Sequence, residues 1–181
     1  MILVMAGLLA VFLGLGSAYI YARVEKGVHG VPAPAMFFVN TIVLLAAGVS
    51  IHRWQTAFRL RQETASVRWG WITLLLSLWF LAGQAMAWWW LFRQGRFPDS
   101  SPGAGYLYAL SILHLLHVVA GLPFLLRVLF PFIRASGSPS PAALYQDSKL
   151  ARRLRHTAWY WHFLDAVWLG IMVLLVVNSL L

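Results

Sequence analysis

The sequence predicts an all-α integral membrane protein: a helical bundle of five transmembrane helices, N-terminus inside and C-terminus outside. Three observations carry this. Of 181 residues, 61% are hydrophobic and 10% charged, more apolar sequence than a soluble domain of this length needs. The apolar residues gather into five segments, each near or above the roughly 17–25 residues that cross a bilayer. The fourteen Lys and Arg lie mostly between these segments, ten in one set of loops and four in the other, and the basic excess marks the cytoplasmic side.

The first span, residues 1–22, carries no charge. It lacks a basic n-region and is long for a signal-peptide h-region, so it reads as a retained helix. The second, 35–51, is shorter, but no breaker stops its helix from continuing to about residue 66. The third, 69–92, is uncharged and closed by Arg93. The fourth, 104–126, stops at Arg127, and the fifth is 157–181. The one long loop, 127–156, holds the breaker-rich stretch Ser136-Gly137-Ser138-Pro139-Ser140-Pro141. Ser140 and Pro141 fit an N-cap and a first helical residue, opening a helix through Lys149–Arg155 into the last span. The five spans make a single transmembrane domain over residues 1–181.

The rich basic set is Arg53, Arg59, Arg61, Arg68, Arg127, Arg134, Lys149, Arg152, Arg153 and Arg155; the poor one is Arg23, Lys26, Arg93 and Arg96. Trp54, Trp69 and Trp71 then fall near the inner interface, and Trp88, Trp89 and Trp90 near the outer one, as aromatic belts do. The net charge of +9 is thus a topology signal, and no nucleic-acid partner is expected. Arg127, Arg134, Arg152, Arg153 and Arg155 are candidate phospholipid headgroup contacts, against the plainer reading of stop-transfer and orientation. Cysteine is absent, which excludes disulfides and thiolate metal sites.

Ionisable groups within spans are costly and mark function or packing. His114 and His117 are three residues apart on one helical face, with Gly121 four further along to admit a neighbouring helix. His162 and Asp165 repeat the spacing on the last helix, and Gln84 and Asn40 are further polar residues in spans. Two readings compete for the histidines. Axial haem ligation needs histidines facing each other from different helices, so His114 or His117 would face His162. The alternative is a structural polar network of His114, His117, His162, Asp165 and Gln84, in which a carboxylate steadies an imidazole. A metal site lacks a second carboxylate. A proton path lacks spaced acids, since Glu25, Glu63, Asp99 and Asp147 fall in loops. Gly14-Leu15-Gly16 within a span reads as helix packing. No catalytic, cofactor-binding or metal-binding residue is assigned.

The last span opens with Tyr160-Trp161-His162-Phe163-Leu164-Asp165-Ala166-Val167-Trp168, which closely resembles the signature of the last helix of haem–copper oxidase subunit III. Further blocks resemble that family in order. They are Asn40-Thr41 through Leu44-Leu45 to Gly48, Phe80 to Gln84, and Gly105-Tyr106 followed by His114-Leu115-Leu116-His117-Val118-Val119-Ala120-Gly121. The resemblance implies an accessory subunit without cofactors in an oxygen-reducing respiratory complex. Such a subunit packs against catalytic subunit I, whose haem and copper do the chemistry, and meets the other oxidase subunits. It binds phospholipid, supports proton uptake and prolongs turnover. A bacterial inner membrane is the expected location.

The chain departs from the family pattern in places. Many members have seven helices; the five here match the later ones, and in short members a neighbouring subunit can supply the first pair. The family's buried glutamate on the helix matching residues 1–22 has no counterpart, Ala87 replaces the glutamate after the Gln84-like residue, and Leu115-Leu116 stand where the family has glycine. Roles tied to those acids do not transfer. A related subunit of a quinol oxidase or nitric-oxide reductase, and a free-standing haem-binding electron carrier, stay open as alternatives.

Overall fold

A computed structural model describes residues 2–135 and 142–180. The helices are α1 (Ile2–Lys26), α2 (Ala35–Arg59), α3 (Glu63–Arg93), α4 (Pro102–Ala135), α5 (Ala142–Gln146) and α6 (Ser148–Leu180). The described residues contain no strand. All except the five-residue α5 are long and apolar enough to cross a membrane.

Helix ends follow backbone chemistry. At the close of α1, Gly27 turns left-handed (φ 61°) and donates its N–H to the Arg23 carbonyl at 3.1 Å, which occupies an otherwise orphaned acceptor. α3 closes with Gly95 at φ 71°: Gly95 donates to Phe92 and Arg96 to Leu91, each at 3.0 Å. This paired arrangement is the Schellman motif. α2 ends in the same way, at Arg59 rather than near residue 66. Arg61 takes φ 54° and donates to Phe58 at 3.0 Å, while Gln62 donates to Ala57 at 2.9 Å. The stop was hidden in the sequence because an arginine fills the position that glycine usually takes. Glu63 then opens α3 in its first turn, where a carboxylate meets the positive end of the helix dipole. Neither Glu63 nor Glu25, which lies in the last turn of α1, is a loop residue.

The loop expected over 127–156 is largely helical. α4 continues through Pro123 and Pro131 to Ala135, and α6 starts at Ser148. Arg127 marks the end of apolar sequence, not of the helix, because arginine is itself a good helix former. Each proline removes one N–H, a loss that membrane helices tolerate where other groups take the freed carbonyl. Asp147 caps α6, its Oδ1 accepting from the Lys149 N–H at 2.7 Å. Ser101 caps α4 through the Ala104 N–H at 3.1 Å, with Pro102 as first helical residue. The expected cap at Ser140-Pro141, with its breaker stretch, lies outside the described residues.

Packing forms two compact units, and α2, α3, α4 and α6 contribute residues to both. In the first (Met1–Thr41, Leu81–His117, Ala166–Leu181), Tyr19 stacks on Tyr106 with ring centroids 4.8 Å apart. Phe37 meets Trp168 edge-on at 5.4 Å, and Leu174 reaches Gly16. The Arg23 guanidinium donates to the Asn178 carbonyl in the last turn of α6. In the second (Ile42–Phe80, Val118–Asp165), the core includes Ile51, Trp54, Phe58, Leu125, Phe132, Leu154 and Trp161. Trp54, expected at the membrane interface, is fully buried there against Phe132 at 5.4 Å. Trp69 does lie toward the surface, with the guanidinium groups of Arg53 and Arg68 at 5.3 and 5.4 Å from its ring.

Candidate functional site

The polar side chains inside the spans are placed by close helix approaches, and these depend on glycine. In the second unit, α6 presents Asp165 to α2 at Gly48. A Cβ built on Gly48 would stand 2.3 Å from Asp165 Oδ2 and 3.6 Å from His162 Nδ1. Only a residue without a side chain leaves that space. One turn of α6 brings the two titratable groups together, with His162 Nδ1 3.6 Å from Asp165 Oδ2.

The pair is unevenly buried. Asp165 is 7% exposed and its Oδ1 has no partner among the described residues. The His162 side chain is 45% exposed, so only the carboxylate of the pair is covered. The i,i+3 spacing fixes a shared face but does not say which member stands at its edge. Two hydroxyl bridges lie in the same unit: Ser50 and Thr73 share a hydrogen bond at 2.8 Å, and Trp161 Nε1 donates to Ser77 Oγ at 3.2 Å.

In the first unit, Asn40 Nδ2 donates to Gln84 Oε1 at 3.1 Å, both fully buried. A Cβ on Gly83 would come 2.1 Å from Asn40 Oδ1, so this amide pair also sits over a glycine. Gln84 thus has Asn40 as its partner. His114 is fully buried, its ring centroid 5.1 Å from Trp168 and 6.4 Å from Phe12. His117 is half-buried beside Phe12 at 5.8 Å and donates Nδ1–H to the Leu113 carbonyl at 2.6 Å. Trp168 Nε1 donates to Thr41 Oγ1 at 3.0 Å.

Sequence reasoning singled out Gly121 as an approach point, and a Cβ there would meet Tyr160 at 2.9 Å and Trp161 at 3.0 Å. It missed Gly48 and Gly83 as the residues that admit Asp165 and Asn40. Their position within apolar spans was the available signal. Gly16 meets Leu174, whereas a Cβ on Gly14 would find open space.

Arg127, Arg134, Arg152, Arg153 and Arg155 are all exposed on α4 and α6. Arg155 lies over the Trp159 ring at 5.8 Å. Among the described residues, no three His, Cys, Asp or Glu side chains converge as a metal-holding group. Among the described residues the arrangement is one of hydrogen bonding and packing.

Residues 14–179 match the family described as cytochrome c oxidase subunit III. A cytochrome c oxidase subunit 3 of Synechocystis is 29% identical over 170 residues, 91% of this chain and 68% of that protein. A probable cytochrome c oxidase subunit 3 of Nocardia farcinica is 28% identical over 165 residues, 88% of this chain and 77% of that protein. The subunit 3 of the lancelet Branchiostoma lanceolatum is 32% identical over 149 residues, 81% of this chain and 52% of its own length.

Proposed function

The chain belongs to the cytochrome c oxidase subunit III family, and from that premise we propose how it works as an accessory subunit of a terminal oxidase. It is a multi-pass membrane component of the oxidase complex. Its own residues hold no redox centre in this reading. Haem and copper belong to the catalytic subunits, and this chain packs against catalytic subunit I to keep it in working geometry. The membrane is a bacterial inner membrane. The exposed arginines Arg127, Arg134, Arg152, Arg153 and Arg155 meet phospholipid headgroups at its inner face.

The polar residues have structural roles here. Asn40–Gln84 and Ser50–Thr73 tie α2 to α3, at roughly 1 kcal/mol for each interhelical hydrogen bond, while His162 and Asp165 pair along one face of α6. A single carboxylate, Asp165, sits deep in a span, so support for proton uptake comes through the shape given to the partner rather than through a wire in this chain.

The observation that carries the proposal is the family match over residues 14–179. Affinity purification of the tagged chain from native membranes, in mild detergent, tests it. Oxidase subunits and their haem absorbance should co-purify, and the absorbance should leave with those subunits when they are stripped away. A Soret band that stays with the isolated chain at one haem per chain would favour an electron carrier instead.

A further inference from the structure

We propose that His162 is the docking contact between this chain and a transmembrane helix of a partner oxidase subunit, and that the partner supplies a hydrogen-bond donor to it. The inference rests on the oxidase-subunit reading and names the surface and the chemistry of the partner.

His162 follows Arg155 by seven residues on α6, about 10 Å along the axis at 1.5 Å per residue. The headgroup region beneath a phosphate is only about 5–8 Å deep. The half-exposed imidazole therefore lies at the level of acyl chains, which offer it no hydrogen bond. Arg155, nearer the basic end, is spread over the exposed ring of Trp159, an arrangement suited to the interface.

The ring is aimed as well as exposed. Its Nδ1 is 3.6 Å from Asp165 Oδ2, and Asp165 is buried against Gly48. The carboxylate behind the ring favours the tautomer with its N–H on Nδ1, which leaves Nε2 as a hydrogen-bond acceptor. Nε2, on the opposite edge of the imidazole, is turned away from Asp165. Polar side chains that bond across helices join membrane proteins in this way. A hydroxyl, a side-chain amide N–H or an indole N–H on the partner helix is the matching group. The depth argues against a lipid phosphate.

The chain has no cysteine, so His162→Cys creates a unique attachment point. A benzophenone maleimide placed there in the intact complex, then irradiated, should crosslink this chain to another oxidase subunit. Crosslinks to lipid alone would overturn the docking contact while leaving the family function standing. Recovery of the wild-type chain without any oxidase subunit would overturn both.

Retention gives the second measurement. His162→Leu should lower recovery of this chain with the catalytic subunits roughly three- to thirty-fold, the range expected for one interhelical hydrogen bond. His162→Gln, which still accepts through its amide oxygen, should recover most of it. Equal retention of the Leu and wild-type chains would also overturn the proposal.

Discussion

Gly48 decides whether Asp165 can occupy its place. A methyl group there would overlap the carboxylate at 2.3 Å, so Gly48→Ala must push α2 away from α6 or expel Asp165. The expected cost is about 1–3 kcal/mol, read as a lower thermal midpoint of the detergent-purified complex. Gly14→Ala is the counterpart, since a Cβ there meets nothing within 4 Å. It should leave the midpoint unchanged or raise it, because alanine is the better helix former. Equal effects of the two substitutions would contradict the packing described for Gly48. The sequence made Asp165 conspicuous as the one acid in a span, and spacing alone joined it to His162. Which of the two would be covered depended on α2, a long-range contact to which helical periodicity is blind.

Among the elements, the junction of α2 and α3 departs most from sequence expectation. Long apolar segments revealed five helices, because a bilayer demands them. The stop at Arg59 was illegible because its left-handed residue is Arg61, not glycine. That geometry makes a prediction. Arg61→Gly removes a left-handed strain worth about 1 kcal/mol and preserves both Schellman hydrogen bonds. The variant should unfold at equal or higher temperature than the parent. The same reasoning makes Gly95→Ala, at φ 71°, a destabilising change of similar size. A stabilising Gly95→Ala would show that the α3 terminus does not depend on its left-handed residue. The extension of α4 past Pro123 and Pro131 has a related cause. A span is bounded by charge and a helix by backbone hydrogen bonding, so the two limits need not coincide.

For the whole molecule, we propose that charge placement sets the orientation. Ten of the fourteen Lys and Arg fall on the connections α2–α3 and α4–α6 or on the helix ends beside them. On this proposal the positive-inside bias puts those connections in the cytoplasm and the C-terminus outside. A reporter active only outside the cytoplasm, fused after Leu181, should be active. A fusion within the α2–α3 connection, at residues 60–62, should be silent. The reverse pattern would invert the topology. The family itself was legible in the last span, where Tyr160 to Trp168 matches a specific signature, and the match extends over residues 14–179. No spacing or periodicity would have named a reaction.

The central claim is that this chain sustains an oxygen-reducing complex without performing its chemistry. The most direct test is the time course of oxygen consumption by the partner complex purified with and without this chain. The initial rate and the haem spectrum should be nearly the same in both preparations, and the preparation lacking the chain should lose activity after fewer turnovers. Loss of single-turnover oxygen reduction in an otherwise assembled complex would contradict the claim.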